Sequence, residues 1–69
     1  MDANTTIQPG TKVVLTERHT RKITRGEFVR NSSTDVSGVG DCPAYRVRIE
    51  DTERIFDFLA SGHEIKEGA

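Results

Sequence analysis

Apolar and polar residues alternate most regularly in the segment AYRVRIEDTERIFDFLA, towards the C-terminal end of the chain. Tyr45, Val47 and Ile49 alternate with charged residues, which is the period of two expected of a strand with one buried and one solvated face. Phe56 and Phe58 repeat this spacing after a polar interruption. The pattern predicts an antiparallel hairpin whose five apolar side chains share one inward-facing side.

The turn of this hairpin has two solutions. A four-residue loop from Asp51 to Arg54 places Ile49 opposite Phe56, whereas a two-residue turn places Val47 opposite Phe56. The two registers differ by a slip of two residues, so both bury the same face. Both also place an arginine opposite Asp57, Arg48 in the first register and Arg46 in the second. The segment EDTER has no glycine, which leaves the turn geometry open.

Three shorter segments predict the other strands. The β-branched run TKVVLT, Thr11 to Thr16, follows a Pro-Gly pair, GEFV begins at Gly26, and Ile65 lies in a tail long enough for one short strand. The connections are polar. TERHTRKITR has no apolar spacing suited to a helix and predicts a loop, and NSSTDVSGVGDCP predicts a long, mobile connection.

This order of elements resembles the SH3-like small barrels, through the segments GTKVVLT, GEFV, YRVRIED and RIFDFLASGHEI. The resemblance implies an all-β fold: a small SH3-like barrel of about five antiparallel strands over residues 10–66, with a disordered leader (1–9) and a tail (67–69). Closure would remove the sheet edges and gather eight side chains inside: Val13, Leu15, Phe28, Val47, Ile49, Phe56, Phe58 and Ile65. The competing fold is a twisted antiparallel sheet completed by a partner chain or a dimer mate.

Length and composition restrict the rest. Sixty-nine residues make one domain with a small core, so replacing an inward Phe56 with Ala is expected to cost about 3 kcal/mol or more, and replacing Ile55 little. A single cysteine allows no intrachain disulfide, which favours a reducing, cytoplasmic compartment. The start of the chain lacks the features of a signal peptide, and no run has the length of a membrane span.

Charge is distributed unevenly along the chain. Residues 1–34 hold six Lys and Arg against three Asp and Glu, and residues 35–69 hold four against eight. Six cations are candidates for contact with nucleic acid or an acidic partner: Arg18, Arg21, Lys22, Arg25, Arg46 and Arg48. Two observations argue against this hypothesis. The isoelectric point is about 6.1, and every aromatic ring is predicted to lie inside the fold, which leaves none to stack on bases. A solvated loop is the simpler interpretation.

The second polar connection offers Val36, Val39 and Asp41 as candidates for a protein contact. Its glycines lack the lysine and the following helix of a phosphate-binding loop. Cys42 lacks a base nearby in sequence, and with His19 and His63 it has none of the spacings of a zinc site. We therefore expect no catalysis, metal or cofactor.

Two hypotheses of function follow. The first is a small non-catalytic module, monomeric or weakly dimeric, that binds another protein through its two polar loops and an exposed strand edge, as an accessory or regulatory subunit. Opposite charge patches suit such oriented docking. The alternative is a nucleic-acid-binding module that uses the basic loop, Arg18 to Arg25.

Overall fold

The computed structural model describes residues 2–68, which form five strands and one turn of 3-10 helix. The elements are β1 (Lys12–Glu17), β2 (Ile23–Val36), β3 (Gly40–Ile49), β4 (Ile55–Leu59), the 3-10 turn (Ala60–Gly62) and β5 (His63–Glu67). The strands form a single antiparallel sheet in the order β4-β3-β2-β1-β5. The prediction of an all-β fold with about five antiparallel strands is confirmed.

The sheet is not closed, and the predicted loss of its edges is wrong. β4 pairs only with β3, and β5 pairs only with β1, at the two ends of the strand order. The chain passes from β4 through the 3-10 turn straight into β5. No strand of residues 2–68 therefore lies between them to complete a ring of hydrogen bonds.

The hairpin of β3 and β4 adopts the second of the two predicted registers. Val47 pairs with Phe56, and the neighbouring pairs follow the same register. The connection is nevertheless longer than a two-residue turn. The Ile49 amide donates to the Arg54 carbonyl at 2.8 Å, and the Glu53 amide donates to the Ile49 carbonyl at 2.7 Å. Glu53 has a φ of 58°, so it takes the left-handed conformation for which many turns use glycine.

The core lies on one face of the bent sheet. Its largest fully buried side chains are Val13, Leu15, Phe28 and Val47. Partly buried apolar residues pack against this cluster, namely Ile7, Tyr45, Phe58 and Ile65. The interior predicted from the alternation is therefore largely confirmed.

Ile49 is partly buried but lies outside this cluster, and Phe56 departs furthest from the prediction. It lies on the predicted face, opposite Val47, but 46% of it is exposed. Ile55, on the other face, is 48% exposed. The expectation that one is buried and the other solvated is wrong, because β4 is an edge strand that no further strand covers.

Gly26 marks a close approach between β2 and β3. A Cβ at this position would overlap the carbonyl oxygen of Arg48 and lie 2.7 Å from Cγ1 of Val47. Any larger residue would push the two strands apart at the core. Gly26 therefore allows the close contact between β2 and β3 beside the buried Val47.

The segment predicted to be a long, mobile loop is instead a long hairpin, which corrects that prediction. β2 continues to Val36 and β3 begins at Gly40, with a register shift between Phe28 and Arg30 that is typical of a β-bulge. Gly38, at a φ of 83°, supplies the tight turn. Serine and threonine were misleading here because the ladder is built by the main chain and needs no apolar side chains.

Residues 2–8 have no regular secondary structure, but part of this leader lies against β2. The Ala3 amide donates to the Ser32 carbonyl at 2.9 Å. The side chain of Asn31 makes a two-way contact with the main chain of Thr5, accepting at 3.2 Å and donating at 3.0 Å. The flexibility expected of residues 1–9 stays a prediction, and Ala69 of the tail lies outside the described residues.

Leu15 and Phe56 should differ sharply in their effect on stability. We expect Leu15→Ala to lower the free energy of unfolding by about 2–5 kcal/mol, because a fully buried leucine leaves a cavity. Phe56→Ala should cost about 1 kcal/mol, since half of its ring is already solvated. Urea denaturation measures both. Equal losses in the two variants would contradict the exposure of Phe56.

Candidate interaction surfaces

The first candidate surface is the basic turn, residues 18–22, which joins β1 to β2. It is shorter than the loop predicted from sequence because β1 reaches Glu17 and β2 begins at Ile23. The Glu17 amide donates to the Lys22 carbonyl at 2.9 Å, and the Arg21 amide donates to the Glu17 carbonyl at 2.8 Å. Arg21 has a φ of 63°. Arg25 belongs to β2 and not to the turn, which corrects its placement.

Glu17 holds this turn through its side chain. Its carboxylate accepts the amides of His19 at 3.0 Å and Thr20 at 2.5 Å, and the Thr20 hydroxyl at 2.6 Å. These hydrogen bonds, first of all that from the Thr20 hydroxyl, lower the pKa of Glu17 to about 2. The only acid of the basic stretch is therefore used to fold the turn.

The six predicted cations fall into two groups. Three of them form ion pairs: Arg18 with Glu64 at 3.5 Å, Arg46 with Asp57 at 2.9 Å, and Arg48 with Glu27 at 3.6 Å. Within residues 2–68, the other three have no carboxylate within 4.0 Å: Arg21, Lys22 and Arg25.

The cations share their surface with acids of the loop between β3 and β4. A hollow of about 390 Å³ is lined by Lys22 and Arg25 on one side and by Glu50 and Asp51 on the other. The Glu50 amide donates to the Arg25 carbonyl at 3.1 Å, which fixes the loop against β2. The C-terminal acids thus lie beside the N-terminal cations, so the charge separation along the sequence is partly cancelled in space.

The second candidate surface is the tip of the hairpin of β2 and β3. Val36 ends β2 and is partly buried, and Val39, in the turn, is 72% exposed. Asp41 lies in β3 opposite Asp35. The structure brings the three predicted residues together at one end of the molecule, and their role in a protein contact stays a prediction.

The third surface is the free edge of β4, whose residues were not among the candidate sites predicted from sequence. Ile55 and Phe56 are exposed there, and the Phe56 ring meets that of Phe58 edge to face, with centroids 6.4 Å apart. The alternating pattern predicted which face each residue takes but not which strand lies at the edge. Two features of the sequence could have indicated an exposed edge: β4 is short, and Ile55 and Phe56 are apolar neighbours.

Arg46 binds the central residue of β4. Its Nε donates to Oδ1 of Asp57 at 2.9 Å, and its Nη2 donates to Oδ2 at 3.2 Å. This is the bidentate geometry of a guanidinium and a carboxylate, and it raises the pKa of Arg46. The arginine partner predicted for Asp57 is confirmed. The charge of the strand is thereby neutralised within the molecule.

The residues considered for metal or nucleophilic chemistry lie on separate elements. Cys42 is a free, partly buried thiol in β3 whose Sγ lies 3.5 Å from the Gly40 carbonyl oxygen. Nδ1 of His63 lies 3.0 Å from the Leu59 carbonyl oxygen. Within residues 2–68, no group of three or more His, Cys, Asp and Glu side chains could hold a metal ion.

Comparisons of the chain with protein-family models, curated proteins and solved structures give no match. Across residues 2–68, no helix has the length and apolar character needed to cross a membrane.

The Glu17 turn should make stability depend on pH. The folded-state pKa of about 2 lies below the ordinary value of 4.5, so the stabilisation is present above pH 4.5 and is lost as the pH falls towards 2. We expect Glu17→Gln to lower the melting temperature at neutral pH, with a difference from wild type that shrinks towards pH 2. The exposed Glu67→Gln is the charge-matched control. A Glu17→Gln difference that stays constant over this range would contradict the assignment.

Proposed function

We propose that the chain is a small non-catalytic module that binds another protein, as an accessory or regulatory subunit, through the free edge of β4. The order of five strands, with a turn before the short last one, supports a place among the SH3-like small barrels with an open side. The observation that carries the proposal is an edge strand with exposed apolar residues on both faces, Ile55 and Phe56.

The main chain of β4 has donors and acceptors free along one side. Ile49 and Arg54 form a hydrogen-bonded contact, and such pairs recur at every second residue of an antiparallel ladder. The main-chain groups of Phe56 and Phe58 therefore point towards β3. Those of the alternate residues point away from the sheet: Ile55, Asp57 and Leu59. Of these groups, the Leu59 carbonyl is already used by the 3-10 turn and by Nδ1 of His63. An extended segment of a partner can add to such an edge as a sixth strand.

The side chains favour this use of the edge. Soluble proteins commonly protect an exposed edge with a solvated charge, a proline or a bulge. The only charged residue of β4 is Asp57, and Arg46 already binds it. An added strand would meet Ile55 on one face and Phe56 on the other, and would cover both.

Selection from a displayed library of extended peptides tests the proposal. We expect wild-type protein to select peptides with alternating apolar residues, and Ile55→Pro to lose their binding. Proline removes an amide that points away from the sheet, at the first residue of an edge strand, where it is tolerated. Val39→Ser, which removes an exposed apolar side chain at the distant hairpin tip, is the matched control. Selected peptides that bind Ile55→Pro as well as wild type would place the site elsewhere.

A second candidate function is binding of nucleic acid at the basic turn. It is favoured by one observation: Arg21 and Lys22 are exposed and unpaired within the described residues, since Glu17 is bound by the main chain of the turn. The exposure of Phe56 also removes the objection that every aromatic ring is buried.

Salt dependence separates this candidate from the first. If the turn contacts phosphates, gel-shift affinity for generic RNA or DNA should fall steeply with salt, and Arg21→Ala with Lys22→Ala should flatten the slope. Lys12→Ala with Lys66→Ala is the control of equal charge. Absence of any shift at low salt, with protein at about 10–100 µM, rules the candidate out.

A further inference from the structure

We propose that a second copy of this chain occupies the edge of β4, as a two-fold antiparallel strand pair centred on Asp57. The inference rests on the proposed function, since it uses the same edge, which the second copy occupies when no other protein is bound. The observation behind it is the near-palindromic sequence of β4, Ile-Phe-Asp-Phe-Leu.

The two-fold arrangement pairs aromatic side chains with aromatic ones and aliphatic side chains with aliphatic ones across the interface. In an antiparallel pair centred on Asp57, each Phe56 lies opposite the Phe58 of the other copy, and each Ile55 lies opposite Leu59. Residues directly opposite each other share a face, so the aromatic pairs lie on the core side and the aliphatic pairs on the outer side. The half-exposed rings of Phe56 thereby gain aromatic partners.

The hydrogen-bonding phase of β4 agrees with this centre. The groups that point away from the sheet belong to residues 55, 57 and 59, and the two-fold arrangement pairs 57 with 57 and 55 with 59. The pair of 57 with 57 joins main-chain groups that the monomer leaves free. In the pair of 55 with 59 the Leu59 amide points outward, whereas its carbonyl oxygen lies 3.0 Å from Nδ1 of His63 and caps the 3-10 turn, so this pair has one free hydrogen bond. The result is one continuous ten-stranded sheet. A centre shifted to Phe56 or Phe58 shortens the paired region, because β4 has only five residues.

The two Asp57 carboxylates at the centre of the interface do not repel each other as unpaired carboxylates would. Two aspartates directly opposite each other destabilise a strand pair. Here each Asp57 is held by its own Arg46 in a bidentate contact, so the four groups across the interface carry no net charge. Arg46 therefore makes the β4 edge of one chain compatible with the β4 edge of a second copy.

Sedimentation equilibrium of the full chain tests the inference. Interfaces of this size are weak, so the concentration should extend to about 1 mM. We expect the mass to rise from 7.7 kDa to twice that value with increasing concentration, and the Ile55→Pro variant to stay monomeric. Val39→Ser should dimerise as wild type does. An unchanged amide spectrum outside β4 verifies that Ile55→Pro is folded.

Isotope-filtered NOE spectra of a mixture of labelled and unlabelled chains test the register. Contacts between Phe56 of one copy and Phe58 of the other are expected. A monomer at every concentration overturns the inference, as does a dimer that persists in Ile55→Pro or lacks these contacts. Peptides that bind a strictly monomeric chain at β4 would leave the proposed function standing, whereas failure of both experiments removes both.

Discussion

The register of β3 against β4 is the constraint on which the other features depend. It places Val47 in the core opposite Phe56, and it brings Arg46 opposite Asp57. The antiparallel ladder directs the main chain of alternate β4 residues away from the sheet. The exposed apolar edge therefore arises from the antiparallel pairing of β3 with β4, and the register makes Arg46 the partner of Asp57. On the other side of β3, Gly26 allows a close approach to β2, because only a residue without a side chain fits there.

The parts of the fold that the sequence predicts are those where side chains alternate. Tyr45, Val47 and Phe58 follow the period of two, and all three contribute to the core or pack against it. The long hairpin of β2 and β3 lacks this signal because Ser32, Thr34 and their neighbours are polar or small. Main-chain groups, which nearly every residue provides, hold the ladder of this hairpin. The amino-acid composition therefore does not predict it.

The candidate site was less predictable for a related reason. Local pattern determines which way Phe56 points, but its exposure depends on where β4 lies in the strand order. That order is set by the pairing of β5 with β1, between segments distant in sequence. The arginine opposite Asp57 was predictable because both registers supplied one. The choice between them was not, since a slip of two residues leaves the buried face unchanged.

The charged residues mostly serve the fold itself. Glu17 shapes the basic turn, and half of the cations considered for nucleic acid are bound by carboxylates of neighbouring strands. Acids of the loop after β3 lie beside two of the remaining cations. A chain with small net charge and mutual neutralisation on its surface is better suited to protein contact than to a polyanion.

Cross-strand NOE measurement between α-protons of β3 and β4 tests the central register most directly. Residues in the non-hydrogen-bonded pairs of an antiparallel ladder have Cα atoms about 4.5 Å apart, which brings their α-protons into close contact. The structure predicts strong cross-peaks between Arg46 and Asp57 and between Arg48 and Ile55. A strong cross-peak between Arg48 and Asp57 in their place would show the alternative register and contradict the account.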